Sequence, residues 1–234
     1  MSRQQTVLNK FMVPDENIIE IGVDEAGRGP LFGRVYTAAV ILPKDDTFDF
    51  TKVKDSKKFH SKNKINEAYE YIKHNAIAWS ITYSDETLID KINILQATQD
   101  SMHQSILQVS NKYKKLVENE NENTFYSFNL LVDGNYFNPI TSFNKDSNKV
   151  ESMPYITVEG GDNKYASIAA ASILAKVERD NYIDQLCEEN PYLVEYYSLN
   201  TNKGDGAKKH LDGIITHGIT IWHRRSFAPC KNYV

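Results

Sequence analysis

Two adjacent acids, Asp24 and Glu25, stand between an apolar run and a glycine-rich loop. The run is Ile18-Ile-Glu-Ile-Gly-Val23, and the loop is Ala26-Gly-Arg-Gly-Pro30. Burying two neighbouring carboxylates without a partner is costly, because like charges repel and lose their hydration. A divalent cation removes this cost, and carboxylate oxygens suit Mg²⁺ and Mn²⁺. The pair therefore indicates a metal site, although a strand end that coincides with an acidic turn has the same pattern.

The loop after these acids has the residue types of a turn that contacts a large ligand. Gly27 and Gly29 let such a ligand approach the main chain closely. Arg28 lies between them and offers a guanidinium fork that matches phosphate. The flanking loop therefore favours the metal site over a coincidental acidic turn.

Two more acids occupy comparable positions. Asp133 ends the apolar run Phe128-Asn-Leu-Leu-Val-Asp133, and Asp162 follows Gly160-Gly161. Strands that end at one sheet edge can bring such carboxylates together. In enzymes with two-metal sites, ions about 3.5–4 Å apart lower the pKa of an attacking water and neutralise a leaving oxygen. Together with Asp24 and Glu25, these carboxylates would balance the charge of two such ions.

The chain around these acids predicts alternating strands and helices. The predicted strands cover residues 18–24, 35–42, 76–83, 128–133 and 155–158. The predicted helices cover residues 62–74, 93–115, 165–188 and 208–217. Two polar stretches, 118–124 and 138–153, are expected to be surface loops. This order of elements indicates an α/β fold with a mixed sheet flanked by helices.

Composition places the chain among ordinary globular proteins, with 41% hydrophobic and 25% charged residues in a total of 234. No apolar run is long enough to span a membrane, and the N-terminus has no signal peptide. Cys187 and Cys230 lack metal-binding spacing and are expected to be free thiols in a reducing compartment. We therefore expect a cytoplasmic protein, whose 234 residues are enough for one domain or two.

Charge is distributed unevenly in this chain, whose net charge is −4. Lysines crowd residues 52–64, and basic residues crowd 203–225. Such local patches fit a protein that binds phosphates at one face. Two solvated, lysine-rich helix faces fit the charge pattern equally well.

Six blocks occur in an order typical of one enzyme family. They are Ile21 to Val35 with Thr37 to Leu42, Asp55-Ser-Lys-Lys58, Asn93-Ile-Leu-Gln-Ala-Thr98, Leu131-Val-Asp-Gly134, Gly161-Asp162 with Ser167 to Val177, and His223-Arg-Arg-Ser-Phe227. Over residues 18–229 the chain resembles ribonuclease HII. The resemblance implies a ribonuclease H-like fold with a helical C-terminal segment. It implies a single catalytic domain, 18–234, that follows an N-terminal arm, 1–17. It also implies a metal-dependent endonuclease that hydrolyses the RNA strand of RNA/DNA hybrids to 3′-hydroxyl and 5′-phosphate ends, and that also acts at single ribonucleotides in duplex DNA.

The resemblance assigns roles to individual residues. The catalytic and metal-binding residues, which would hold two Mg²⁺ or Mn²⁺ ions with substrate bound, are Asp24, Glu25, Asp133 and Asp162. In ribonuclease HII, main-chain groups of the matching loop recognise the ribose 2′-hydroxyl, which distinguishes RNA from DNA, and the resemblance implies the same here. The residues implied to bind or support substrate are Gly27, Arg28, Gly29, Lys57, Lys58, Asp205, Arg224 and Arg225. For the two arginines, support of the active site is favoured over direct contact.

One position departs from the family pattern. The family has Lys-Gly-Tyr-Gly, whose tyrosine stacks on the deoxynucleotide sugar after the ribonucleotide, whereas this chain has Lys203-Gly-Asp-Gly206. Asp205 cannot stack and would repel a nearby phosphate. Tyr196 or Tyr197 is a candidate substitute, in a short upstream insertion. The departure places cleavage at single ribonucleotides in question and leaves ribonuclease HIII-like hybrid cleavage as the alternative, with a non-catalytic hybrid-binding protein as a third.

The remaining polar residues have plainer interpretations. Asp55 is expected to fix the loop before Lys57, and Asp180 to be a structural ion-pair partner. His210 and His223 lie among basic residues, which makes contact with phosphate one interpretation of them. Only seven residues follow Phe227. This segment is short compared with family members that join partner subunits, so we expect a monomer.

Overall fold

The computed structural model describes residues 7–119, 125–145 and 148–233. Within them lie seven strands: β1 (Ile18–Ala26), β2 (Val35–Ile41), β3 (Ala78–Ser84), β4 (Ser127–Asp133), β5 (Thr141–Asn144), β6 (Lys149–Ser152) and β7 (Tyr155–Val158). The α-helices of the same residues are α1 (Lys62–Asn75), α2 (Glu86–Asn119), α3 (Ala166–Glu189), α4 (Tyr192–Tyr197), α5 (Leu199–Asn202) and α6 (Lys208–His217). All five predicted strands and all four predicted helices are present.

A five-stranded mixed sheet with the order β3-β2-β1-β4-β7 forms the centre of the molecule. The pairs β1–β2 and β2–β3 are antiparallel, whereas β1–β4 and β4–β7 are parallel. The three parallel strands therefore end at the same edge of the sheet. Asp24 and Asp133 lie at or near the ends of two of them. This arrangement confirms the predicted α/β class.

The helix α3 lies directly against one face of the sheet. Its alanine-rich surface packs with Ala38 and Val40 of β2 in one apolar cluster. At Gly22 of β1 a Cβ atom would stand 2.2 Å from the carbonyl carbon of Ser167. Only glycine permits this approach, which brings the first half of α3 beneath the end of β1.

The helix α2 covers the opposite face and begins earlier than predicted. Met102, Ile106 and Val109 pack there against residues of β1 and β4. The prediction of a helix over 93–115 located this part and missed the segment from Glu86. Asn93 separates the two parts, since its φ of 68° and ψ of 163° are not helical. A segment this short carries too little periodic signal to be recognised from sequence.

The C-terminal helices pack on the end of α3 and on the loop after β1. Their shared cluster includes Leu31, Phe32, Ile183, Leu193 and Ile214. The inserted stretch upstream of residue 203 forms the short helices α4 and α5. The helix α6 ends at Gly218, as predicted, where a φ of 77° suits glycine and the N–H donates to the carbonyl of Ile214.

Two polar stretches differ from the expectation of plain loops. The stretch 138–153 contains an antiparallel hairpin, because β5 pairs with β6. Phe143 and Val150 face each other across this hairpin, a cross-strand pair that the polar composition concealed. In the stretch 118–124, residues 118 and 119 close α2, and residues 120–124 lie outside the described residues.

The described part of the N-terminal arm, residues 7–17, is docked on the sheet. The N–H groups of Met12 and Val13 donate to the carboxylate of Glu20, at 2.9 and 2.6 Å. Asn9 forms an isolated parallel bridge with Tyr165. Residues 1–6 lie outside the described residues. No helix in the described part of the chain has both the length and the apolar character to cross a membrane.

Candidate active site

Register places Asp24 and Asp133 side by side. Val23 of β1 pairs with Val132 of the parallel strand β4, so the next residues of both strands are the two aspartates. Leu131 packs with Ile168 of α3, and alternation along β4 puts Asp133 on that same face. The side chain of Ser172 in α3 is close enough to Asp24 to oppose the rise in its pKa. Both aspartates therefore lie at the end of the parallel strands, towards α3.

Asp162 joins them through the turn after β7. Asp133 is paired with Val158, and the following glycines form a turn in which Gly160 has a φ of 61°. The N–H of Gly161 donates to Asp133 Oδ1 at 2.6 Å. A Cβ atom at Gly161 would lie 2.5 Å from the side chain of Ile168. The glycine thus permits a tight turn that buries Asp162 beside Asp133.

Burial and mutual repulsion raise the pKa of three of these acids. The pKa of Asp24 lies well above its usual range, because the carboxyl is buried and because Glu25 and Asp133 are negatively charged neighbours. Burial and Asp133 also raise the pKa of Glu25, against the opposing effect of Arg28. Burial raises the pKa of Asp162, and the charge of Asp55 adds to it. The carboxylates are thus held together at an electrostatic cost.

The carboxylate oxygens of the four acids are suitable ligands for a divalent cation, but the described side chains do not surround a single position for the ion. Within 7–119, 125–145 and 148–233, no three His, Cys, Asp or Glu side chains are arranged to enclose an ion. Several oxygens face protein donors instead: Asp24 Oδ1 accepts from the N–H of Glu25 at 2.7 Å, and Asp133 Oδ1 accepts from Gly161. Carboxylate oxygens and unrelieved negative charge are what Mg²⁺ and Mn²⁺ bind.

A buried arginine shapes the glycine loop from beneath. The guanidinium of Arg224 donates to four carbonyl oxygens: Gly27 at 2.6 Å, Arg28 at 3.0 Å, Pro30 at 2.8 Å and Gly33 at 2.8 Å. Its side chain is fully buried. Arg224 therefore supports the loop, as predicted, and does not face solvent. Arg225 is exposed and its N–H donates to Asp90, so no described contact brings it to the four acids.

A second buried arginine, Arg179 of α3, lies behind Gly27. It donates to the carbonyl oxygens of Phe32 and Lys203, the latter at 2.7 Å. A Cβ atom at Gly27 would stand 2.1 Å from Arg179 Nε, and the φ of Gly27 is +94°. Sequence reasoning missed this residue, although a charge on the buried face of an apolar helix is itself a signal.

The turn at residues 55–58 reaches the same cluster. Lys57 Nζ lies 3.5 Å from Asp162 Oδ2, and Lys58 donates to the side chain of Asn163. Asn163 in turn donates to Asp162 Oδ1 at 3.1 Å. Asp55 accepts from the N–H of Lys57 at 2.9 Å and so fixes the turn, as predicted. Ser172 and Asn163 were missed, because small polar residues next to stronger motifs carry no pattern of their own.

Comparison with known proteins identifies this architecture. The sequence model for Ribonuclease HII matches residues 21–230. Ribonuclease HII of Bacteroides thetaiotaomicron is 42% identical over 213 residues, which cover 91% of each chain. The chain belongs to the ribonuclease HII family. The family is one of endoribonucleases of the ribonuclease H type, and this chain is therefore a ribonuclease H.

Solved structures agree with the fold of the family. Ribonuclease H2 from Pyrococcus horikoshii superimposes with a TM-score of 0.61 at 21% identity, over 92% of this chain and 96% of that one. Bst-RNase HIII in complex with Mn²⁺ gives a TM-score of 0.59 at 19% identity, over 93% of this chain and 69% of that one. The predicted ribonuclease H-like fold is confirmed.

The departure from the family pattern lies next to the glycine loop. The N–H of Leu31 donates to the carbonyl of Gly204 at 2.8 Å, which joins the two loops. Asp205 is exposed there. Tyr197 is buried and donates to the carbonyl of Gly218, so it cannot substitute for the family tyrosine. Tyr196 stacks on the ring of His217, with centroids 3.9 Å apart.

Two histidines have a structural position rather than a surface one. His210 and His223 are buried, and their Nε2 atoms lie 3.1 Å apart. Nδ1 of His223 accepts from the N–H of Thr220, so its Nε2 carries the proton and donates to His210. Nδ1 of His210 then donates to the carbonyl of Asp205. The interpretation that these rings contact phosphate is wrong, because neither reaches the surface.

Arg28 and Asp180, the last two residues singled out in the sequence, each lie beside a side chain of opposite charge. Arg28 is exposed and lies 3.4 Å from Glu25. Asp180 forms an ion pair with Lys176 one helical turn away, which confirms its structural interpretation. Cys187 and Cys230 are free and buried.

Proposed function

We propose that this protein is a metal-dependent endonuclease that hydrolyses the RNA strand of RNA/DNA hybrids, leaving 3′-hydroxyl and 5′-phosphate ends. The observation that carries the proposal is the gathering of buried and half-buried acids at one edge of the sheet, directly beside the supported glycine loop. The acids that we assign to catalysis and to one or two Mg²⁺ or Mn²⁺ ions are Asp24, Glu25, Asp133 and Asp162.

The electrostatics of the acids support a divalent metal. Three of them have raised pKa values, so a cation beside them would relieve repulsion that the protein otherwise bears. The fold neighbour Bst-RNase HIII was solved with Mn²⁺. Bound ions of this kind lower the pKa of a water nucleophile and stabilise a leaving oxygen. The protein's own part is to orient the carboxylates, through Ser172, Gly161 and Asn163.

The glycine loop supplies recognition of RNA. Arg224 binds the carbonyl oxygens of Gly27 and Arg28, which fixes the orientation of their peptide groups. The N–H groups of Arg28 and Gly29 donate no hydrogen bond within the described residues. We assign these N–H groups to the ribose 2′-oxygen, a group that DNA lacks. Lys57 and Lys58 lie on the other side of the acids and would bind phosphates.

Cleavage of three labelled duplexes tests the function. We expect the RNA strand of a full hybrid to be cut with Mg²⁺ or Mn²⁺ and to remain intact with EDTA, while an all-DNA duplex stays intact throughout. A third duplex with one embedded ribonucleotide measures junction activity. Hybrid cleavage that persists in EDTA would refute metal dependence, and binding without any cleavage would favour a hybrid-binding protein.

Asp205 favours a second version of this activity, in which the protein cuts hybrids and acts poorly at a single ribonucleotide, as in ribonuclease HIII-like cleavage. Its loop contacts the glycine loop, and no aromatic ring replaces the family tyrosine at this position. A carboxylate there repels phosphate. We further propose that the protein acts as a monomer in the cytoplasm, which light scattering and cell fractionation would test.

A further inference from the structure

The turn at residues 55–58 is connected to the acids at three points. Ser56 Oγ lies 3.0 Å from Ser172 Oγ, and the side chain of Ser172 lies near Asp24, whose pKa it lowers. Lys58 contacts Asp162 through Asn163. Lys57 contacts Asp162 directly. The turn therefore contacts the proposed metal site both near Asp24, through Ser172, and at Asp162.

The backbone of the turn directs Lys57 to that carboxylate. Asp55 accepts from the N–H of Lys57, and its own carbonyl accepts from the N–H of Lys58 at 2.9 Å. Asp55 and Ser56 are buried, so the turn is anchored. The side chain of Lys57 is 81% exposed, whereas that of Asp162 is 4% exposed. The ammonium group thus reaches from solvent over a carboxylate that the protein covers on its other sides.

Cations near the four acids are few. In the described part of the chain, the ion pairs that involve these acids are Lys57 with Asp162 and Arg28 with Glu25. Lys57 also interacts electrostatically with Asp55 and Asp24. It is therefore placed to offset the negative charge that a divalent cation would also offset.

We propose that Lys57 and a divalent metal ion compete for Asp162, and that metal binding releases Lys57 to a substrate phosphate. The inference rests on the proposed function, because it takes Asp162 as a metal ligand. Metal binding then breaks the Lys57–Asp162 ion pair, and the released ammonium group of Lys57 becomes available to bind a phosphate of the hybrid. Bound metal therefore raises the affinity for the hybrid, and bound hybrid raises the affinity for the metal by the same factor.

Mn²⁺ affinity, measured by calorimetry and by electron paramagnetic resonance without substrate, tests the competition. Lys57→Gln should bind Mn²⁺ about two- to fivefold more tightly than wild type, the range expected for loss of a partly exposed ion pair. Lys54→Gln is the matched control, because it removes the same charge from a side chain whose Nζ lies 4.5 Å from the Phe59 ring centroid. The control should change the affinity by less than about 1.5-fold.

The Asp162→Asn background separates a direct contact from a general effect of charge. There Lys57→Gln should no longer tighten Mn²⁺ binding, since the carboxylate for which it competes is absent. Equal tightening by Lys57→Gln and Lys54→Gln, or tightening that persists with Asp162→Asn, would overturn the competition while leaving the proposed function intact. A wild-type protein that binds no Mn²⁺ would overturn both.

Hybrid affinity with and without Ca²⁺ tests the release. Wild-type protein should bind an RNA/DNA hybrid more tightly with Ca²⁺ than with EDTA, and Lys57→Gln should lose about half or more of that ratio. Lys54→Gln should keep it. A ratio in Lys57→Gln equal to that of wild type would show that the ammonium group does not pass to the substrate.

Discussion

At the residue scale, Asp24 occupies a position that is electrostatically costly to the fold, and we propose that catalysis requires it. Burial raises the pKa of its carboxyl, and the negative charges of Glu25 and Asp133 raise it further. Asp24→Asn removes one charge from the cluster. We expect cleavage to fall at least about a thousandfold, because several kcal/mol of transition-state stabilisation depend on the metal.

Thermal unfolding of the same variant gives the second readout. At pH 8 without metal, Asp24→Asn should melt at or above the wild-type temperature, because a raised folded-state pKa means that the ionised carboxylate destabilises the fold at high pH. Asp100→Asn, an exposed acid of α2, is the control and should keep full activity. Substantial turnover by Asp24→Asn at saturating Mg²⁺ would refute the assignment of Asp24 as a metal ligand.

The two glycines of the loop are predicted to differ sharply. Gly27→Ala places a Cβ atom 2.1 Å from Arg179 Nε at a positive φ, whereas a Cβ atom at Gly29 has no neighbour within 4 Å. Gly27→Ala should lower the free energy of unfolding by about 1–3 kcal/mol and reduce cleavage. Gly29→Ala should unfold like wild type in urea. Arg28→Ala should cost less activity than Gly27→Ala, since main-chain groups remain. Equal stabilities for the two glycine variants would contradict the close packing seen at Gly27.

Asp205 is predicted to decide between long hybrids and single ribonucleotides. Asp205→Tyr adds a ring at an exposed position beside the glycine loop. Stacking on such a ring is worth about 1–3 kcal/mol, so junction cleavage should rise by roughly ten- to a hundredfold relative to hybrid cleavage. The measurement is the ratio of kcat/KM on the two duplexes.

Asp205→Asn is the control for that change, since it removes the charge without adding a ring. It should change the ratio much less than Asp205→Tyr does. A wild-type enzyme that already cuts both duplexes equally well, with Asp205→Tyr unchanged, would show that another residue marks the junction. Tyr196 would be tested next, because it is partly exposed.

At the scale of elements, Arg224 connects the C-terminal segment to the loop between β1 and β2. Arg224→Gln leaves several of its four carbonyl partners without a donor in a buried place. The free energy of unfolding should fall by about 3 kcal/mol or more, and cleavage should fall with it. Arg225→Gln is the adjacent control on an exposed side chain and should unfold in urea like wild type.

Arg224→Lys separates charge from geometry at this position. Lysine retains the positive charge but lacks the guanidinium fork, so it should recover only part of the lost stability. If Arg224→Lys behaved like wild type in both urea unfolding and cleavage, the charge alone would support the loop. If Arg225→Gln were as damaging as Arg224→Gln, the loop would depend on both arginines.

At the scale of the whole molecule, the buried histidine pair makes stability depend on pH. Burial lowers the pKa of His223 to about 3, with the neighbouring His210 adding to the effect. Burial also lowers the pKa of His210. The unfolded chain therefore takes up protons first as the pH falls below about 6.5. The stability that the neutral His223 contributes is complete above that pH and is lost progressively between about pH 6.5 and 3. At pH 5 the loss of stability amounts to about 2 kcal/mol.

Urea unfolding at pH 7, 6 and 5 measures this dependence. The double variant His210→Gln/His223→Gln should be less stable at pH 7 but should lose less stability than wild type between pH 7 and 5. His74→Gln, at an exposed histidine on α1, should keep the wild-type slope. A double variant with the wild-type slope would show that the acid sensitivity arises elsewhere.

Local pattern determined much of this protein. Apolar runs and helical stripes predicted the five strands of the main sheet and the four longer helices, because each depends on residues close in sequence. Asp24, Glu25 and Asp133 were singled out because acids at the end of an apolar strand contradict the rule that buried charges are avoided. Asp162 was singled out by the two glycines before it and by the family resemblance. The role of Arg224 followed only from resemblance, and its four carbonyl partners supplied the physical reason.

Tertiary structure alone decided which polar residues meet. The pairing of Val23 with Val132 brings Asp24 to Asp133. The sequence of neither strand specifies how it aligns with the other. His210 and His223 looked like surface cations in sequence, yet packing around Phe32 and Tyr197 buried them as a neutral pair. Lys57 resembled a phosphate ligand, and only the folded turn places it against Asp162. Contacts between distant segments depend on how whole elements pack, and burial of those elements is cooperative, so one-dimensional patterns cannot specify them.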